Sequence, residues 1–169
     1  MTDWPEIVRE HGPLVWRTAY RLLNRDADAA DCFQLTFLAA FKFASGETVQ
    51  NWPAILTRFC TARALEMLRV RYRERDRYTA LVEKPSGVAD DPAEQATASE
   101  LADRLEKALA LIDPRQAEVF CLICLEGRSN LEVADGMKLT AAHVGMLLHR
   151  ARVALKEQLV VDHSQSEKP

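Results

Sequence analysis

The 169-residue sequence predicts an all-α protein built as two small helical domains joined by a flexible linker. Three observations carry that expectation. Apolar residues recur at three- and four-residue spacing through every long segment, and no segment alternates as a half-buried strand would. Recognisable helix caps separate these segments. Hydrophobic residues make up 48% of the chain, with only 6 Gly and 7 Pro, which suits a folded helical protein rather than a disordered one.

Taken in order, Asp3 and Glu6 form a candidate capping box for a first helix carrying Ile7, Leu14, Val15, Ala19, Leu22 and Leu23. After a polar break at Asn24–Asp26, "DADAADCFQLTFLAAFKF" restarts a helix that ends near Gly46. Asn51, followed by Pro53 in the first turn, opens a third helix running to about Arg77. The stretch "EKPSGVADDPAEQATASE" is acidic, poor in large apolar residues and contains Pro85, Gly87 and Pro92, so it reads as linker merging into the next helix. Beyond it, "ELADRLEKALALI" is amphipathic. Asp113, Pro114 and Gln116 supply the N-cap, first position and N3 position of another helix, closed by Gly127. Ser129 and Glu132 form a capping box for "NLEVADGM", Gly136 marks the turn out of it, and Thr140 caps the last helix. The boundaries expected are a domain at 1–78, an acidic linker at 79–98, a helix-turn-helix domain at 99–162 and a frayed tail at 163–169.

Charge narrows the function. A formal net charge of −3 and a pI near 5.8 argue against non-specific coating of nucleic acid. That average hides an asymmetry: between residues 58 and 77, seven arginines face three carboxylates, next to the acidic linker. Arginine is the better phosphate clamp because its planar fork donates two hydrogen bonds at once. The N-terminus lacks a basic region followed by an apolar run, and no run approaches the about 18 apolar residues of a membrane span. A cytoplasmic protein with reduced thiols is expected. Cys121 and Cys124 form a C-x-x-C inside an apolar run with no second pair nearby, so they read as small buried side chains and not as a metal site. His11, His143, His149 and His163 have no nucleophile or carboxylate constellation beside them, so neither an enzyme nor a cofactor is expected.

The C-terminal part carries a helix-turn-helix pattern. At roughly 100° per residue, Val144, Leu147, Leu148, Ala151 and Leu155 share one arc, which must pack on the preceding helices near Phe120 and Ile123. Ala142, His143, Gly145, Met146, His149 and Arg150 lie opposite, with Arg152 on the flank. A helix entering a major groove reads bases with its first turns and holds phosphates with later basic residues, a role Arg150 and Arg152 suit.

These motifs resemble a known family. Residues 114–159, with "LEGRSNLEVA" and "LHRAR", are similar to region 4 of the extracytoplasmic-function (ECF) group of bacterial RNA polymerase sigma factors. "DAADCFQLTF" at 28–37 resembles region 2 of that group, and Trp52 through "ARALEMLRVRYR" resembles the helix that engages the promoter minus-ten element. The resemblance implies a non-enzymatic transcription initiation factor that binds core RNA polymerase, through the β′ clamp and β flap, and promoter DNA; it also leaves room for an anti-sigma partner.

Carried onto this chain, the resemblance places polymerase docking at Asp28, Asp31 and Gln34, with Phe37 either an apolar anchor or core. It places minus-ten contacts at Trp52, Arg63, Arg69 and Arg71, with Trp52 either a stacking platform or a packing anchor. Minus-thirty-five contacts fall at Lys138, Thr140, His143, His149, Arg150 and Arg152. The sequence departs from the family pattern at Glu66, where Asp is usual, at Ala62, where Asn is common, and at Gly145 and Leu147, where basic residues are typical. Those departures keep an alternative open: a polymerase-associated or protein-binding helical adaptor with weakened promoter recognition.

Overall fold

The computed structural model describes the backbone of residues 2–81 and 93–166, and the side chains of 2–81 and 98–160. Among the described residues every regular element is helical: α1 (Trp4–Leu23), α2 (Asp26–Ala44), α3 (Trp52–Leu81), α4 (Ala93–Leu111), α5 (Pro114–Phe120), a π-helical turn (Cys121–Leu125), α6 (Asn130–Met137) and α7 (Ala141–Ser166). The all-α expectation holds. Of the stretch expected as linker, residues 79–81 extend α3 and 93–98 belong to α4, while Pro85, Gly87 and Pro92 fall outside the described backbone. At the other end α7 continues past His163 to Ser166.

The caps explain most of the boundaries. The Asp3 carboxylate accepts the Glu6 amide at 3.2 Å, although Glu6 itself turns to Arg9. Asn51 accepts the Ala54 amide at 3.0 Å, and Asp113 accepts those of Arg115 and Gln116. Ser129 and Glu132 satisfy each other's backbone amides in a complete capping box. Thr140 Oγ1 accepts the His143 amide at 3.2 Å. Gly127 takes a positive φ of 69°, as a closing glycine should.

Gly136 corrects the sequence expectation. It lies within α6, and the left-handed residue that turns the chain is Lys138, with φ 55°. A lysine held there costs roughly 1 kcal/mol that glycine would not. Gly136 contributes its carbonyl instead, which accepts a hydrogen bond from Arg58.

Helices α1, α2 and α3 form a bundle around Val15, Ala19, Leu23, Leu56, Leu65 and Leu68. Cys32 and Cys60 meet in this core with their sulfurs 3.9 Å apart. A second cluster, with Val133, Val144, Leu147 and Leu148, joins α5, α6 and α7, and Phe120 and Ile123 pack on it as expected. The two halves are nevertheless in contact. The first cluster continues through Ala108 and Leu109 of α4, Ile112 just after it, Ala117 of α5, Cys121, and Ala151 and Leu155 of α7. Periodicity shows that α4 has an apolar face, but not which neighbour covers it. Here α3 and α7 do.

Candidate functional site

On α2, Asp31 and Gln34 are exposed, with Leu35 and Leu38 alongside them at i+4 and i+7 from Asp31, 41% and 50% exposed. These four share one helical stripe. Phe37 is elsewhere: it is buried and packs on Phe33 with ring centres 4.9 Å apart, so the structure assigns it to the core. The apolar side chains that could meet a partner are therefore Leu35 and Leu38, which the sequence reading passed over. The signal for them was apolar residues on the polar side of an otherwise amphipathic helix. Asp28 is half-buried and forms an ion pair with Arg71.

On α3, the Trp52 ring packs edge-on against Trp4 at 5.3 Å, which makes it a packing anchor in this conformation. Arg63 is exposed and pairs with Glu66 at 2.8 Å. Arg69 turns inward. Its Nε and Nη2 are buried without a hydrogen-bond partner among the described residues, and burial lowers its pKa against the opposing pull of Asp113 and Glu118. Arg71 also turns inward, donating to Asp28, to Glu106 of α4 at 3.0 Å, and to the Leu23 carbonyl. Ala62 is exposed, as a DNA-facing position would be.

Glu106 is buried, and burial pushes its carboxyl up to about 7, outweighing the pull of Arg71 in the other direction. Asp103 and Asp28 add to the rise and Arg25 opposes it. The ion pair with Arg71 is thus only partly charged near neutrality. Because the folded chain holds this proton more tightly than the unfolded one, Glu106 contributes fully below its ordinary 4.5 and loses that contribution as the pH rises through about 7. A Glu106→Gln variant should roughly match the wild-type unfolding free energy near pH 5 and exceed it near pH 8, by roughly 3 kcal/mol at most, read by denaturant unfolding. A wild-type advantage that grows over that range would contradict this.

In the helix-turn-helix, Val144, Leu147, Leu148, Ala151 and Leu155 are buried along the predicted arc, so Leu147 is core. Lys138, Thr140, His149, Arg150 and Arg152 are exposed, and His143 is half-buried. Thr140 is occupied as a cap. His149, Arg150 and Arg152 form no ion pair among the described residues, although Arg152 approaches the Cys124 sulfur at 3.9 Å. Three basic side chains therefore stand open on one helix while Arg69 and Arg71 of α3 do not. A Cβ added at Gly145 would meet only Asn130 Nδ2, at 4.0 Å. Gly145→Ala should therefore raise stability by about 0.5–1 kcal/mol, read by denaturant unfolding, and a loss would reveal a contact not present here.

Comparison with known proteins bears on what these surfaces are. Residues 7–73 match Sigma-70 region 2, and residues 102–155 match Sigma-70 region 4. The chain is 31% identical over 163 residues to the RNA polymerase sigma-E factor of Streptomyces coelicolor, covering 94% of this chain and 86% of that protein. The chain belongs to the ECF group of RNA polymerase sigma factors. It is also 32% identical over 169 residues to the ECF RNA polymerase sigma factor SigE of Mycolicibacterium smegmatis, covering 98% of this chain. It spans 65% of that relative's length. Among solved structures it is similar to the sigma factor RpoE of Bartonella quintana, seen in complex with the anti-sigma factor NepR. The TM-score is 0.55 and the identity 25%, over 96% of this chain and 99% of that one. In sigma-factor terms α1–α3 form region 2 and α4–α7 form region 4, and the buried Arg71–Glu106 pair joins the two regions. No described helix is long and apolar enough to cross a membrane, and no group of three or more described His, Cys, Asp or Glu side chains could hold a metal ion.

Proposed function

We propose that this chain is a non-enzymatic transcription initiation factor that binds core RNA polymerase and directs it to promoter DNA. The observation that carries this reading is the order of the two regions on one chain, region 2 at 7–73 and region 4 at 102–155. The α2 stripe of Asp31, Gln34, Leu35 and Leu38 offers a carboxylate, an amide and two apolar contacts to the polymerase clamp, a combination suited to a compact hot spot. Arg63, Arg69 and Arg71 of α3 would neutralise the backbone of the opened minus-ten strand. Lys138, His149, Arg150 and Arg152 would hold phosphates at the minus-thirty-five element while His143 faces base edges. Two modest contacts joined on one chain bind together more tightly than either alone. An anti-sigma factor is a candidate partner, because the Bartonella neighbour is seen with one.

The buried Leu147 and the missing side chain at Gly145 favour a second reading, a polymerase-bound adaptor with weakened promoter recognition. Reconstitution with core polymerase followed by selection of bound promoter DNA separates the two. The first reading expects co-elution and enrichment of a shared sequence. Co-elution without any enriched sequence would favour the adaptor, and failure to co-elute would overturn both.

A further inference from the structure

The outward face of α7 is apolar in the turns that would meet base edges. At roughly 100° per residue, the buried arc of Val144, Leu147, Leu148, Ala151 and Leu155 leaves Ala142, Met146 and Val153 pointing away from the core. Met146, in the second turn, is 44% exposed, and Ala142 one turn before it is exposed as well. Basic side chains frame this pair without interrupting it. Lys138 precedes the helix, and His149, Arg150 and Arg152 follow Met146 within two turns, all exposed. The hydrogen-bonding groups near the first two turns lie away from the centre of the face. Thr140 is occupied as the cap, and His143 is half-buried to one side. Asn130 of α6 stands beside Gly145, its Nδ2 4.0 Å from the place of an added Cβ.

We propose that Met146, with Ala142 beside it, reads the minus-thirty-five element through thymine methyl groups, so that α7 selects A·T pairs by apolar contact. The proposal rests on the reading of α7 as a promoter-binding helix. In a major groove the first turns of such a helix meet base edges. A thioether and a methyl group satisfy neither the N7 and O6 acceptors of guanine nor the N4 donor of cytosine. Covering those polar atoms with an apolar side chain costs affinity. A pair containing thymine offers its C5 methyl, the apolar feature of the groove floor. Phosphate contacts from Lys138, Arg150 and Arg152 fix the register in which Met146 and Ala142 face the bases. The unbranched methionine side chain adapts to a methyl on either strand. Gly145 and Leu147, where the family pattern has basic residues, then mark a change of code and not the loss of one.

The test starts from duplexes that the holoenzyme selects out of a randomised library. Each thymine of the upstream element is replaced singly, on either strand, by deoxyuridine, which pairs identically and lacks only the methyl. Fluorescence anisotropy of the labelled duplexes with holoenzyme reads the affinity. One or two neighbouring replacements should each weaken wild-type binding about fourfold, the effect of one methyl group returned to water. Met146→Ala should bind the thymine duplex about fourfold more weakly and should lose the deoxyuridine penalty at its own position. A penalty that survives in this variant at a neighbouring position belongs to Ala142. A change that merely loosened α7 would weaken the thymine and deoxyuridine duplexes alike and keep the penalty. Met146 is exposed, so the variant should fold as wild type, and its titration with core polymerase alone should be unchanged.

Wild-type binding indifferent to deoxyuridine at every thymine would overturn the proposal, as would a selected upstream element without A·T pairs. So would a Met146→Ala variant that keeps every penalty, or one that binds core polymerase more weakly, which would assign the side chain to a protein contact. These outcomes leave the proposed function standing, because the holoenzyme has by then selected a promoter. Selection of no shared sequence at all overturns both.

Discussion

Leu35→Asp/Leu38→Asp should weaken association with core RNA polymerase by about thirty-fold or more while leaving the melting temperature nearly unchanged. Leu35 is 41% and Leu38 50% exposed on α2, so only part of each side chain's packing is lost when they are replaced. They flank Gln34 on the stripe that begins at Asp31, where a partner would bury them completely. A charge placed there meets desolvation with no arranged counter-charge. Phe37→Ala is the contrasting case on the same helix. It empties a buried site against Phe33 and should cost about 3 kcal/mol of folding stability. Its effect on polymerase binding should follow the fraction unfolded and vanish at low temperature. Titration of labelled core polymerase at two temperatures distinguishes the two behaviours. Equal losses for both variants at low temperature would place the docking surface on the wrong side of α2.

The second large effect belongs to α7. Arg150→Ala/Arg152→Ala should weaken promoter binding by the holoenzyme to a similar degree for every minus-thirty-five sequence, because phosphate contacts carry no base information. The slope of log affinity against log salt should fall by about 2, one unit for each lost phosphate contact. Neither arginine forms an ion pair among the described residues and both are exposed, so stability should hardly change. Filter binding across a salt series, repeated on scrambled minus-thirty-five sequences, checks both statements. An effect confined to one sequence would mean that these arginines read bases.

Local chemistry made the helices readable. Asn51, Asp113, Ser129 and Thr140 each cap the helix that the sequence assigned to them, and the arc from Val144 to Leu155 is buried as its spacing demands. Gly136 shows the limit of such reading. The turn out of α6 was expected to begin at the glycine, but the helix runs through it and the left-handed residue is Lys138. What the sequence did not disclose is mostly long-range. Arg71 looks like any basic residue on a basic helix, and nothing local indicates that Asp28 and Glu106 will meet it from two other helices. Glu126 is one acid at the end of an expected helix until the π-helical turn carries it to Thr18 and Arg21. Phe37 and Leu38 are neighbours with opposite fates, because a rotation of one residue moves a side chain from core to surface.

Mapping RNA 5′ ends made by core polymerase on a genomic template, with and without this protein, tests the central claim most directly. The account predicts a set of discrete start sites that appear only when the protein is added, preceded at constant spacing by a shared pair of sequence elements. Identical start sites with and without the protein, from a core enzyme shown to have bound it, would contradict the claim.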